Sequence, residues 1–296
     1  MGCLASLPAL AQSNVTVYGI VDANYSYSKS NDLRFSGIND GSQTGMSGSR
    51  LGFKGEEALG NGLKAVFTAE FGFNATTFDS KTGAFTNLRQ SFVGLSNASL
   101  GSLTLGRQYA PSYSLLRKTA ASGMQEVHAT WAAIPEFTFI NVGNGARVNN
   151  SVAYQSPNWQ GFEVRAIYGF GEQVGTTADT SDAGRYGIGA SYDKGNLFLT
   201  AVYQAIVRND SILNDDGNTA WAVGGAYDFK FLKVFANYIE ENNQLASSSK
   251  KAQDQDKRMW STGLSIPVGN AGKIIAEYAN YKYTDNLLKT NNEGKT

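Results

Sequence analysis

The chain has 296 residues, 17% charged, with 25 Lys+Arg against 25 Asp+Glu, 33 Gly, 15 Tyr and 16 Phe. Balanced charge gives no pull toward nucleic acid, and a single cysteine, Cys3, excludes an intramolecular disulfide or a thiolate metal cluster. No apolar run reaches the roughly 18 residues of a transmembrane helix. A mean hydropathy of −0.29 still suits a membrane barrel, whose strands show lipid an apolar residue only at every second position.

Residues 1–11, MGCLASLPALA, end in Ala9-Leu10-Ala11, an A-x-A cleavage pattern, and read as the remnant of a signal peptide. The alternative is a disordered leader. From residue 12 to 296 the chain reads as one domain. Its period is two rather than 3.6. In Val15-Thr16-Val17-Tyr18-Gly19-Ile20-Val21-Asp22 the odd positions are small or apolar. In Phe67-Thr68-Ala69-Glu70-Phe71-Gly72-Phe73 they are apolar, with Thr68 and Glu70 opposite. Trp221 to Phe229 repeats the form, with small or polar residues at its even positions. One face meets an apolar medium and the other meets water or small side chains.

Strands are expected near 15–28, 47–58, 63–76, 89–97, 101–109, 150–157, 162–171, 184–194, 197–208, 219–230, 232–243, 257–268 and 272–284. Short Gly/Asn connections such as Leu59-Gly60-Asn61-Gly62 and Lys194-Gly195-Asn196 supply the positive φ that tight hairpins need. They alternate with long polar connections at 29–46, 77–88, 110–149, 172–183, 209–218 and 244–256. Short turns at one rim and long loops at the other predict an all-β fold, a transmembrane antiparallel β-barrel.

Gly48-Ser49-Arg50-Leu51-Gly52-Phe53-Lys54-Gly55-Glu56-Glu57-Ala58-Leu59-Gly60-Asn61-Gly62-Leu63-Lys64-Ala65, the opening Val15 to Asp22, Arg89-Gln90-Ser91-Phe92-Val93-Gly94-Leu95, Gly101-Ser102-Leu103-Thr104-Leu105-Gly106-Arg107 and Val148 to Pro157 occur in order. This set resembles the trimeric general porins of Gram-negative bacteria. The resemblance implies a sixteen-stranded barrel, a homotrimer in the outer membrane among lipids that include lipopolysaccharide, and passive diffusion of small hydrophilic solutes and ions. It also implies that loop 110–149 folds inward to narrow the pore. Thirteen strands are legible here, and Asn291 to Thr296 reads as a turn. The expectation is therefore a barrel about three strands short at its C-terminus, which alone would leave open edges in a bilayer.

A pore works by size and field, so the charges that face the lumen matter most. In strand 47–58, Leu51 and Phe53 fit the outer face, which turns Arg50 and Lys54 inward. In strand 162–171, Phe162, Val164, Ala166 and Tyr168 point out, which turns Glu163 and Arg165 inward. Asp22 and Glu70 also fall on inward positions. Parity around Arg89 is unclear, since Phe92 and Val93 are both apolar. The resemblance favours Arg89 inward and puts a wall arginine at Arg147. It implies that Arg50, Arg89 and Arg147 face acids of the inward loop, for which Glu126 and Glu136 are available. Arginine stays charged and binds carboxylate or phosphate in a fork. The wider basic set, with Lys54 and Arg165, suggests a weak anion preference. Solvated arginines or arginines packing a trimer contact are the competing reading.

His128 is the sole histidine. A Ser-His-Asp site or a metal cluster needs more around it, so neither catalysis, metal nor cofactor is expected. Gly143-Asn144-Gly145 reads as a turn rather than a phosphate cradle. Tyr27, Trp159, Tyr168, Trp221, Trp260, Tyr278 and Tyr283 fit the aromatic girdles of a barrel. An outer-membrane enzyme and a soluble β-rich lectin are the alternatives from other classes. The first needs a catalytic histidine at a strand rim. The second would partition into buffer without detergent.

Overall fold

The computed structural model describes residues 14–30, 33–42, 47–76, 87–123, 146–171, 184–206, 218–245, 253–269, 272–285 and 290–295. Residues 1–11, Glu126, His128, Glu136 and Gly143 to Gly145 lie outside them. The main sheet has 14 antiparallel strands in meander order. They are β1 Asn14–Ile20, β4 Arg50–Gly60, β5 Leu63–Gly72, β6 Asn87–Asn97, β7 Gly101–Tyr109, β8 Arg147–Gln155, β9 Phe162–Gly169, β10 Arg185–Lys194, β11 Leu197–Ile206, β12 Asn218–Asp228, β13 Lys233–Leu245, β14 Gln253–Val268, β15 Gly272–Asp285 and β16 Thr290–Lys295. A separate hairpin, β2 Ala23–Ser30 with β3 Leu33–Asp40, projects between β1 and β4.

Each expected strand forms, and three expectations need correction. The first strand, 15–28, breaks after Ile20 and resumes as β2. The polar stretch 29–46 contains β3, which is defined by its pairing with β2 from Ala23↔Asp40 to Ser30↔Leu33; its apolar residues Phe35 and Ile38 differ in parity, so no period of two announces it. Asn291 to Lys295 belong to β16 rather than to a turn: they pair with Asn280 to Thr284. Their side chains are polar throughout, so periodicity alone does not reveal the strand.

The turns behave as their glycines require. Asn61 and Gly62 have φ of 50° and 76° between β4 and β5, and Gly195 has φ of 64° between β10 and β11. Large apolar side chains face out. Trp221, Val223 and Tyr227 of β12 are exposed, while Ala220, Ala222 and Ala226 between them are buried. A solvated sheet would invert this pattern, and a lipid-facing barrel requires it. Tyr186–Tyr203, Trp221–Tyr238 and Trp260–Tyr278 form ring pairs with centroids 6.1, 5.3 and 5.5 Å apart on the outer face. Tyr283 departs from the girdle expectation. It stands in register with buried Lys257, which faces Glu241 on the inner side.

The buried core lies inside the sheet. After β7 the chain turns inward as helix α1, Pro111–Leu116, followed by a 3-10 turn Arg117–Thr119. Proline at the helix start suits a position whose N–H needs no partner. Leu115 and Leu116 are 1% and 0% exposed and pack with Val202, Ala222, Ile239 and Met259 of the wall. The small even positions of β12 and the odd glycines of β10 form the seat of this segment. A β-carbon at Gly189 would press on Leu115, one at Gly224 on Thr119, and one at Gly263 on Ala121. Ser112 donates to Gln204, Asn237 donates to the Thr119 carbonyl, and the Ser122 N–H donates to Glu277 Oε2 at 3.0 Å. These bonds satisfy polar groups that the seat removes from water.

Candidate functional site

Opposite that seat, the inner faces of β1 and β4–β8 carry a connected row of charges. Glu70 of β5 is 3% exposed and lies at its centre. Its Oε1 is 2.9 Å from Arg89 Nε and 3.9 Å from Arg50 Nη1. Its Oε2 accepts the Tyr18 hydroxyl at 3.0 Å. Arg89 Nη2 and Arg147 Nη2 donate to the Tyr109 hydroxyl at 3.2 and 3.3 Å. The Arg147 guanidinium also covers the Tyr109 ring, 5.0 Å from its centroid. The row thus reads Arg50, Glu70, Arg89, Tyr109, Arg147. Two guanidiniums, those of Arg50 and Arg89, share one carboxylate, and Arg147 joins them through the Tyr109 hydroxyl.

Local geometry explains how each side chain arrives. In the β5–β6 ladder Glu70 pairs with Gln90 and Phe71 with Leu88, so Arg89 is an extra residue in a β-bulge. The bulge changes which residues face in. Leu88, Val93 and Leu95 face out even though 88 and 93 differ in parity, and Arg89 is turned inside. This is why alternation around Arg89 could not be read. A second irregularity sets Arg107 of β7 against Asn149 and Asn150 of β8. Asn150 takes a positive φ of 44° there, a conformation asparagine tolerates.

Tyr18 reaches Glu70 because Gly52, its register partner, has no side chain. A β-carbon at Gly52 would fall inside the Tyr18 ring. Lys54 sits two positions along the same face, 5.5 Å from the Tyr18 ring centroid, and is exposed. Tyr113 of α1 stacks on Tyr109 with centroids 4.7 Å apart, which ties the inward segment to the arginine row. Burial raises the Tyr113 phenol above its ordinary value, and neighbouring Tyr109 adds to this against the pull of Arg117, Arg147 and Arg89. Tyr113 therefore acts as a neutral ring.

The remaining expected residues occupy other places. Glu163 and Arg165 are on the inner face of β9 but pair with each other at 2.6 Å, and Glu163 also accepts Gln155 Nε2 at 2.9 Å. Arg165 is therefore locally neutralised rather than part of the arginine row. Asp22 does not present a free lumen charge: its Oδ2 accepts the Ser47 N–H at 2.8 Å, and its backbone bonds Gly41 and Ser49. Glu126 and Glu136, the expected acidic counterparts, lie outside the described residues. The charges described on the inward segment are Arg117 and Lys118, both basic. Sequence reasoning missed Tyr18, Tyr109 and Tyr113 as elements of the wall, and it missed the central place of Glu70. Among the described residues no group of three or more His, Cys, Asp or Glu could hold a metal ion.

Comparison with known proteins addresses the same architecture. Residues 1–296 match the Gram-negative porin family. This chain belongs to that family. It is 33% identical to outer membrane porin protein 32 of Delftia acidovorans over 296 residues, covering 94% of this chain and 77% of the relative. It is 28% identical to an outer membrane porin protein of Bordetella pertussis over 320 residues, covering 91% and 80%. The anion-selective porin from Comamonas acidovorans superposes with a TM-score of 0.75 at 25% identity, covering 96% of this chain and 82% of that one. The protein is an outer-membrane β-barrel porin, a channel for passive diffusion.

Proposed function

We propose that this porin passes small hydrophilic solutes through an eyelet between the arginine row and the inward segment, with a preference for anions. The observation that carries the preference is a row of three guanidiniums with one carboxylate: Glu70 pairs with Arg50 and Arg89, while Arg147 is bound to the Tyr109 hydroxyl. Arg117 adds positive charge from the facing segment, where Lys118 is paired with Asp193 at 3.3 Å, and Lys54 adds more along the wall. In a narrow low-dielectric passage such fields exceed those in bulk water. The anion-selective character of the Comamonas acidovorans porin supports the reading. Glu126 and Glu136 would moderate the field from the loop, and Glu163 with Arg165 would serve as a neutral pair along the passage.

The working unit proposed is a homotrimer in the outer membrane. The exposed Val15 and Val17 of β1, with Val21 just beyond its end, support a protein contact along this edge, and the aromatic girdles support contact with outer-membrane lipids, including lipopolysaccharide. No described group supports catalysis. Liposome swelling tests the passage itself. Vesicles carrying the full-length porin should swell in small neutral sugars, and a monoanion of matched size should enter faster than a matched monocation. Vesicles that do not swell in any small solute would remove the channel reading.

A further inference from the structure

Beside the arginine row the inner wall of β5–β9 holds a cavity of about 330 Å³, a volume that suits a small-molecule site. Two rungs of register partners form its floor. One is polar: Ser96, Ser102, Gln155 and Arg165 pair in turn across β6–β9. In the next, Thr104 pairs with Ala153, and Ala153 with Ile167. Phe92 and Val66 close one side, and Gln90 joins them because it is the register partner of inward Glu70. Tyr109 at the end of β7, with Pro111 and Ser114 of α1, lines the cavity from the inward segment. The polar rung borders the short turns that follow Asn97 and Gln155. Short turns face the periplasm in barrels of this kind, so a solute that has crossed the arginine row meets this cavity next.

One charged group stands at this cavity in a fixed orientation. Arg165 Nε donates to Glu163 Oε1 at 2.6 Å, and Glu163 Oε2 accepts Gln155 Nε2 at 2.9 Å. Arg165 lines the cavity and Glu163 does not. The terminal nitrogens of the guanidinium bond no described residue. Their edge of the fork can take a carboxylate through two parallel bonds. The Gln90 amide and the Ser102 hydroxyl line the same cavity, also without a described side-chain partner. Glu163 cancels the net charge, so a small inorganic anion gains little from long-range attraction here, unlike at the arginine row. What the cavity offers is a fork at one end and the apolar surface of Phe92, Val66 and Ile167 at the other. That surface favours a solute with an apolar group to remove from water.

We propose that this cavity is a binding subsite for small monocarboxylates with an aromatic or branched apolar body, the carboxylate on the Arg165 fork and the body against Phe92 and Ile167. This rests on the reading of the lumen as a solute passage and adds to it a solute class and a second station on the periplasmic side of the arginine row. A passage needs a site that is left as readily as it is filled. The ion pair already made with Glu163 keeps the fork from holding an anion tightly.

The test titrates 4-fluorophenylacetate into the full-length porin in detergent and follows its fluorine NMR signal. Fluoroacetate, which lacks the ring, and 2-(4-fluorophenyl)ethanol, which lacks the carboxylate, are titrated in the same way. Glu163→Gln/Arg165→Gln removes the fork at constant net charge and should weaken binding of the aromatic acid about tenfold. The alcohol, whose signal reports partition into detergent, should respond to parent and double variant alike. Phe92→Ala should weaken the aromatic acid more than fluoroacetate. Equal binding of the aromatic acid by parent and double variant overturns the proposal. Fluoroacetate bound by the parent as tightly as the aromatic acid overturns the assignment to an apolar carboxylate. If the double variant does not fold, Arg165→Gln alone is read in its place, with equality to the parent again overturning the proposal. Conductance of the parent in planar bilayers is recorded separately. A parent that binds the acid but does not conduct would count against the porin reading and leave the subsite standing.

Discussion

Arg89 Nε lies 2.9 Å from Glu70 Oε1, with both side chains only 5% exposed. This contact joins an extra residue in a β-bulge to the one carboxylate described within the arginine row. It gives Glu70 two tasks: it neutralises a buried guanidinium, and it lowers the field that the arginines present to a passing ion. Glu70→Gln separates the two. Removing one partner of a buried ion pair costs about 3–5 kcal/mol, so thermal or denaturant unfolding should shift toward lower stability. The same change should raise anion over cation permeability. A variant as stable as the parent, with unchanged selectivity, would show that Glu70 does neither.

Tyr109 links Arg89 to Arg147 through one hydroxyl. Tyr109→Phe keeps the ring stack on Tyr113 but removes both bonds. Each bond to a charged group contributes about 1.5–3 kcal/mol, and Arg147 becomes free to move into the passage. The expected result is noisier single-channel current at nearly unchanged mean conductance. Arg147→Ala should instead lower anion preference. A quiet Tyr109→Phe channel would contradict the bridging role.

Gly52 leaves the space in which the Tyr18 ring lies. Gly52→Ala forces that ring away from Glu70, with an overpacking cost of about 1–3 kcal/mol. Gly52→Ala and Tyr18→Phe should therefore be non-additive in a double-mutant cycle, because both break the same 3.0 Å bond. Additive effects would mean that the two residues are not coupled.

The inward segment rests on Leu115 and Leu116, both buried against Val202, Ala222, Ile239 and Met259 of the wall. Leu116→Ala should weaken its docking by about 2–5 kcal/mol. Gly224→Val should unseat it more sharply, since a side chain there meets Thr119. Both should raise single-channel conductance and its variance. An unchanged conductance would mean that the segment does not limit the passage.

Asp40, at the end of the β2–β3 hairpin, accepts the N–H groups of Ser42 at 2.9 Å and Ala75 at 3.0 Å. Burial pushes its carboxyl up, but hydrogen bonds from Ser49, Ser42 and Ala75 outweigh this and hold it below the ordinary value of 3.8. A depressed carboxyl contributes stability that is complete above its unfolded value and lost as pH falls through the folded one. Hydrogen-exchange protection of the Ala75 amide should therefore persist from neutral pH down through 3.8 and fail only below it. Asp40→Asn should lose part of that protection at every pH.

Where strands carry a strict period of two, the fold was legible: Trp221 to Phe229 displayed its lipid face and its small inner face in the letters alone. The small even positions also held a second meaning, the seat for α1, which only the folded sheet reveals. Parity placed Arg50, Lys54, Glu70, Glu163 and Arg165 on the inner face. It failed at Arg89, because a bulge changes parity without a mark in composition. It could not show that Arg165 is paired with its neighbour but one, nor that Asp22 is held by backbone N–H groups. β16 was hidden by its polar side chains, since pairing with β15 and not burial defines it.

The described arginine row is net positive, because Arg50, Arg89 and Arg147 have Glu70 as their one described carboxylate. The zero-current potential of the full-length porin in a planar bilayer under a KCl gradient tests this most directly. A potential of anion-selective sign, reduced in Arg50→Ala and enhanced in Glu70→Gln, is the predicted result. A potential of cation-selective sign would contradict the account.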